Sequence, residues 1–184
     1  MHDAVEDSRS PVSDDEMLGL VADDGSDAGS DAGAAPRWQV RRDNLRHRAT
    51  AVLLLDPAGR VYVHRRTEDK DVYPGAHDCW AGGCVLAGEG PGDAAVRELA
   101  EELGVSGVPL SPLWVAPYAD EVTRYVSHNF AAAWDGPVVH QAAEVASGGW
   151  MTVAELREHL ADPDWPFVPD GRVGIERWLA TQPR

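Results

Sequence analysis

Lysine, cysteine and long apolar runs are what this 184-residue chain has least of. Lys70 is its one lysine, and 16 basic residues face 31 acidic ones, for a formal net charge of −15. No basic stripe is visible, which argues against nucleic-acid binding as the main role. The two cysteines, Cys79 and Cys84, are too few for a disulfide framework and fit no metal spacing, so two reduced thiols are expected. No apolar run approaches the roughly 20 residues of a membrane-spanning helix. The first residues, MHDAVEDSRSPVSDDEM, are acidic and polar, unlike a secretory or transit signal. The expected location is the cytoplasm.

The negative charge is unevenly placed. Residues 1–36 hold ten acids and one arginine, and Ala22–Ala35 is a low-complexity run of Asp, Gly, Ser and Ala. This composition predicts a largely disordered acidic segment over 1–36 and one folded domain over 37–184. Within the segment, Met17–Val21 is apolar enough for a short strand pairing near Trp38–Val40. From Arg48 onward strand and helix signals alternate. Ala49–Asp56 is a continuous apolar strand, Pro57–Gly59 a turn and Arg60–Arg66 an alternating strand. Thr67–Asp78 reads as a long loop and Cys79–Ala87 as strand-like. Leu113–Tyr118 and Arg124–Trp134 read as a strand pair, and Gly149–Met151 as a short strand. Thr152 and Glu155 form a capping box that opens a helix to His159. Asp162–Gly171 is a Pro-rich loop, and a last helix covers about Val173–Ala180. Strands mixed with a few helices give an α/β fold. Among the aromatics, Trp114, Tyr118 and Tyr125 lie on strands that could wall a pocket and stack on a planar group.

The densest chemical signal is residues 83–105, GCVLAGEGPGDAAVRELAEELGV. Pro91 to Asp93 suits a loop-to-helix junction, Ala94–Leu103 reads as helix, and Gly104 is a natural stop. At 100° per residue Val96, Leu99 and Leu103 share one face, with Arg97, Glu98, Glu101 and Glu102 on the opposite arc. Carboxylates this close repel one another. Beside a glycine-rich turn they make a cluster of hard oxygen ligands suited to Mg²⁺ or Mn²⁺.

Gly83, Glu89, Arg97, Glu98, Glu101, Glu102 and Gly104 match one spacing, G-x5-E-x7-R-E-U-x-E-E-x-G-U, with apolar Leu99 and Val105 at the U positions. Chance would produce seven such identities with odds on the order of one in a million. The run resembles the signature of the Nudix family. The resemblance implies an α/β/α sandwich around a mixed sheet and divalent-metal-dependent hydrolysis of a diphosphate linkage. Glu98, Glu101 and Glu102 would be the metal ligands, with the carbonyl of Gly82 a further candidate. Glu89 and Arg97 would orient the others. Many family members carry an acid shortly before a Trp-containing strand, a place that Glu144 occupies here, where it would complete the metal site or act as base. The expected partner is a small-molecule diphosphate of the nucleoside diphosphate-X type, with the chain a monomer or homodimer.

Leu45–Glu102 is also similar to the family branch near isopentenyl-diphosphate isomerase, through Leu45–Thr50, Arg65–Thr67, Lys70 and Tyr73–Gly75. On that resemblance Arg66 and Lys70 would grip the substrate diphosphate. The isomerase needs a catalytic cysteine and a metal-bound histidine, and those positions fall on Gly82 and Cys84. The resemblance therefore implies a hydrolase of isomerase-like ancestry. A non-enzymatic nucleotide-sensing module is the remaining alternative, although all the signature acids are present.

Overall fold

A computed structural model describes residues 15–22, 32–70 and 72–183. In chain order the elements are β1 (Met17–Gly19), β2 (Ala34–Pro36), α1 (Arg37–Arg42), β3 (His47–Leu55), β4 (Val61–Arg66), β5 (His77–Asp78) and β6 (Trp80–Cys84). Then follow α2 (Pro91–Leu103), β7 (Ser111–Ala119), β8 (Arg124–Ala133), β9 (Val145–Met151), α3 (Val153–Ala161) and α4 (Pro169–Leu179).

β3 organises a seven-stranded sheet. It runs parallel to β8 from His47↔Tyr125 to Leu55↔Ala133 and antiparallel to β6 from Ala49↔Cys84 to Leu53↔Trp80. β7 extends the sheet beyond β8, while β4 carries β5 and β9. One parallel pair among antiparallel ones makes the sheet mixed. The β3–β4 hairpin closes on Asp56, whose Oδ1 accepts from the backbone N–H of Ala58 and Arg60. Gly59 supplies the positive φ, 76°, that this turn requires.

Both sheet faces are buried, which explains the continuous apolar run in β3. Val52 and Leu54 point to α2, where they meet Ala95, Leu99 and Leu103. Leu53 points to the other layer, with Leu156 of α3 and Ile175, Trp178 and Leu179 of α4. Each fully buried Leu or Ile contributes roughly 1.5–3 kcal/mol. The layers are thus helix, sheet, helix, the α/β/α sandwich expected. Among the described residues no helix is long and apolar enough to cross a membrane.

Three expectations need correction. Val96 lies outside the core at 47% exposure. α2 instead buries Ala94, Ala95, Glu98, Leu99, Glu102 and Leu103, because small alanines let its axis approach the sheet along an arc that includes two of the acids. Met17–Gly19 pairs with Ala34–Pro36 rather than with Trp38–Val40, which is helical. The Pro36 N-cap, extended at φ −64° and ψ 148°, ends the strand and starts that helix. Finally, the folded domain begins before residue 37. Leu18 is fully buried with Ala35, Val40 and Cys84. Gly19 N–H donates to the Val85 carbonyl, and Ala87 N–H to that of Met17. Residues 1–14 and 23–31, the bulk of the expected disordered tail, lie outside the described residues.

Leu18→Ala should therefore cost about 2–5 kcal/mol in urea unfolding, as for a fully buried leucine. Deletion of residues 1–36 should destabilise more than deletion of 1–14. Equal unfolding midpoints for the two truncations would contradict this packing.

Candidate active site

The signature run folds into a loop and a helix held by one arginine. Gly88, at φ 80°, turns the chain so that Glu89 faces back toward α2. Arg97 Nε and Nη2 donate to the two Glu89 carboxylate oxygens at 2.9 and 3.0 Å, a planar fork on a carboxylate. Burial opposes the Glu89 charge, but Arg97 and the Leu86 N–H hold its carboxyl below the usual value. Arg97 Nη1 reaches Glu98 at 2.7 Å and Glu101 at 3.3 Å, and Nη2 donates to the Cys84 carbonyl. One guanidinium thus ties the loop, three acids and the end of β6 together. Pro91 in the first turn and Gly104, left-handed at φ 66°, bound the helix.

Two of the acids are buried against glycines. Glu98 is 8% and Glu102 5% exposed. A Cβ on Gly83 would lie 2.5 Å from Glu98 Oε1, so any larger residue there would displace the Glu98 carboxylate from this position. Gly82 N–H donates to Glu102 Oε2 at 3.2 Å. Burial pushes the Glu98 carboxyl up to about 7 despite Arg97. Burial raises Glu102 well above the usual range, with the charges of Glu98 and Glu144 adding to it. Glu101 is partly exposed, its side chain 44% accessible.

Glu144 joins this group from a distant part of the chain. Gln141 N–H donates to the Glu102 carbonyl, and Thr67 N–H donates to the Glu144 carbonyl, so the segment before β9 is clamped between α2 and the loop after β4. Lys70 Nζ lies 3.0 Å from Glu144 Oε2. Lys70 is thus engaged by an acid, and gripping a phosphate would require it to leave Glu144. Arg66 donates twice to the Val72 carbonyl and lines the adjoining cavity.

That cavity, about 220 Å³, lies on the α4 side of the sheet and reaches Gly82 and Gly83. It far exceeds the space of a single water. Trp80, Trp114, Tyr118 and Tyr125 wall it, as the strand pattern suggested for the last three. The Tyr118 and Tyr125 rings stack with centroids 5.4 Å apart, and Trp80 meets Trp114 edge-on at 5.9 Å. Cys84 lines one end beside His47, and Arg37 Nη1 donates to its sulfur at 3.6 Å. Burial opposes its thiolate, yet His47, Arg37 and Arg41 bring it down to about 6. Asp78, Asp170 and Arg177 also line the cavity, and nothing in their sequence spacing marked them. Asp170 sits in a stretch that reads only as Pro-rich loop.

Oxygen ligands for a hard cation are thus at hand in Glu98, Glu101, Glu102 and Glu144. Among the described residues no three acids already converge as a metal site. Arg97 occupies Glu98 and Glu101 instead. The donor set nevertheless fits Mg²⁺ or Mn²⁺, because two buried carboxylates, both raised by burial and Glu102 further by the charges of Glu98 and Glu144, are groups that a cation would relieve.

The chain matches the family model described as NUDIX domain over residues 45–171. It is 44% identical over 154 residues to an uncharacterized Nudix hydrolase of Rhodococcus erythropolis, covering 78% of this chain and 83% of that one. Its fold is similar to the crystal structure of Deinococcus radiodurans DR0079, with TM-score 0.72, 24% identity and coverage of 88% and 98%. It is also similar to the NUDIX domain of Shewanella oneidensis NrtR complexed with ADP ribose, with TM-score 0.58, 18% identity and coverage of 71% and 84%. The chain belongs to the Nudix hydrolase family, and is accordingly an enzyme acting on pyrophosphate bonds.

Asp78 provides a pH signature separate from the acids of α2. It accepts from Cys79 and Trp80 N–H, yet burial and the charge of Asp170 push it up to about 7. A carboxyl raised in the folded state stabilises fully below its unfolded value, near 4, and that contribution is lost as pH rises through about 7. Asp78→Asn should therefore stabilise the protein relative to wild type at pH 8, by on the order of 3 kcal/mol, and little at pH 4. Chemical denaturation at the two pH values measures it. An equal effect at both would contradict the buried, raised carboxyl.

Proposed function

We propose that this enzyme cleaves the diphosphate linkage of a nucleoside diphosphate-X substrate with the help of Mg²⁺ or Mn²⁺. The observation that carries the reading is the burial of Glu98 and Glu102 against Gly82 and Gly83, at the edge of an aromatic-walled cavity. The NrtR relative in complex with ADP ribose supports a substrate of this class.

Glu98, Glu101 and Glu102 would hold the metal, with the Gly82 carbonyl as a further ligand. When bound, the cation offsets phosphate charge and lowers the pKa of a ligated water. Arg97 orients the acids, and its fork on Glu89 fixes the loop from which they are approached. Glu144 lies outside the Arg97 fork and beside Glu102, so it is the residue we assign to take the proton from the attacking water. Water oxygen then bonds to one phosphorus as the bridging P–O bond breaks, leaving two phosphomonoesters. Arg66, at the cavity wall, faces the substrate phosphates, and Lys70 neutralises charge beside Glu144.

Isomerase chemistry fits poorly. A side chain at Gly82 would place its Cβ 2.1 Å from the Thr50 carbonyl oxygen, so this strand pairing leaves no room for a cysteine there. At the companion position Cys84 supplies a thiol held by Arg37 in place of a histidine.

A panel of nucleotide sugars, dinucleotides and ADP-ribose, incubated with and without Mg²⁺, tests the proposal by product analysis. Metal-dependent release of two phosphomonoesters is expected, and no turnover of any member would refute it. Glu102→Gln should lower kcat/KM by about 1,000-fold, roughly 4 kcal/mol of transition-state stabilisation. Activity within tenfold of wild type would remove Glu102 from its role.

A further inference from the structure

The turn at Val72–Gly75 bridges two distant parts of the chain. Its base is closed by Gly75 N–H donating to the Thr67 carbonyl at 3.1 Å and by Arg65 Nε donating to the Gly75 carbonyl at 3.0 Å. Tyr73 stands at its tip with φ 50°, left-handed, a conformation that among the described non-glycine residues only Asn44 shares. A bulky side chain disfavours that conformation, and a residue stays in it only where the surroundings hold it there. The holder here is Asp120, 47 positions along the chain, whose Oδ2 accepts from the Tyr73 hydroxyl at 2.6 Å. Asp120 is itself fixed. Its Oδ1 accepts from Val122 and Thr123 N–H, both at 2.7 Å, and its carbonyl accepts from Asn44 Nδ2. Burial opposes its charge, yet the Tyr73 hydroxyl, these N–H groups and the Tyr118 hydroxyl keep its carboxyl below the usual value.

The turn in its turn holds Arg66. Arg66 Nε and Nη2 both donate to the Val72 carbonyl, at 3.2 and 3.1 Å. That carbonyl belongs to the planar peptide between Val72 and Tyr73, so rotation about the Tyr73 N–Cα bond swings it. The left-handed φ of Tyr73 and the place of the Arg66 guanidinium are therefore one constraint. Arg66 lines the cavity, and its positive charge is felt by both Glu102 and Asp78. Its neighbours among the cations are paired, Arg97 with Glu89, Glu98 and Glu101, and Lys70 with Glu144. Among the described residues Arg66 is bonded to a carbonyl and to no carboxylate, so its charge is not spent on a protein acid.

We infer that Tyr73 and Asp120 are positioning residues that fix the Arg66 guanidinium for the substrate diphosphate. This rests on the diphosphate reading above. Arginine meets a phosphate as a planar fork of N–H groups, so the orientation of its plane matters as well as its charge. With Nε and Nη2 on the Val72 carbonyl, that plane is set before a ligand arrives, and less ordering remains to be done on binding. Without the Tyr73 hydroxyl the turn is free to leave the left-handed region, and the Val72 carbonyl turns away with it. Tyr73 thus acts through Arg66, and Asp120 acts through Tyr73.

Inorganic pyrophosphate, titrated calorimetrically in the presence of Mg²⁺, tests this without turnover. Arg66→Ala should weaken its binding roughly 10- to 100-fold, and Tyr73→Phe about tenfold. In the Arg66→Ala background Tyr73→Phe should cost less than about twofold more, as for residues that act through one another. Asp120→Asn should weaken binding in the same direction and likewise lose its effect once Arg66 is gone. For any diphosphate that is hydrolysed, Tyr73→Phe should raise KM by about tenfold while kcat stays within about threefold of wild type. Equal pyrophosphate affinity in wild type and Tyr73→Phe overturns the inference. So does a full Tyr73→Phe effect in the absence of Arg66, or no binding to wild type. Coupling between Tyr73 and Arg66 without hydrolysis of any diphosphate would uphold the inference and sink the proposed reaction instead. Metal-dependent hydrolysis with no such coupling would do the reverse.

Discussion

The approach of α2 to β6 is the contact on which the rest depends. It is close because Gly83 presents no side chain toward Glu98 and Ala95 presents a small one. Glu98 and Glu102 are carried into the interior by that approach, where two carboxylates would repel strongly. Arg97 answers part of this charge, reaching Glu89, Glu98 and Glu101 at once. Glu102 accepts from the Gly82 N–H, and its carboxyl is raised well above its usual range. The helix therefore concentrates buried negative charge at a fixed place, against the strand that also lines the cavity.

The two sheet faces divide the work. The α2 face carries the acids, and the α4 face carries the cavity. β6 lies between them and serves both, its Gly82 touching Glu102 through the backbone while lining the cavity. The clamp of Gln141 on Glu102 and of Thr67 on Glu144 adds the last acid from the far side. The acids and the cavity thus share a strand while drawing on different layers, so the cavity walls can vary without disturbing the acids.

Much of this was legible in the chain before folding. The ends of α2 followed from Pro91 and Gly104, the α3 cap from Thr152 and Glu155, and β3 from its unbroken apolar run. The acids themselves were legible as a group. Their burial was not, because a helical wheel sets Glu98 and Glu102 opposite Leu103 and cannot register that Gly83 across the interface leaves room for Glu98 while the Gly82 N–H meets Glu102. The packing of Leu18 was hidden by its acidic, low-complexity surroundings. Lys70 and Glu144 meet only through β4–β9 pairing, and Asp78 and Asp170 only through the docking of α4. Such convergences belong to tertiary structure and leave no local pattern.

The central claim is that Glu102, buried among like charges, awaits a cation. Calorimetric titration of the metal-free protein with Mn²⁺ at pH 8, for wild type and Glu102→Gln, tests it most directly. The account predicts saturable binding to wild type, with a rise in unfolding temperature, and affinity at least tenfold weaker in the variant. Equal Mn²⁺ affinity for both proteins, or none for wild type, would contradict it.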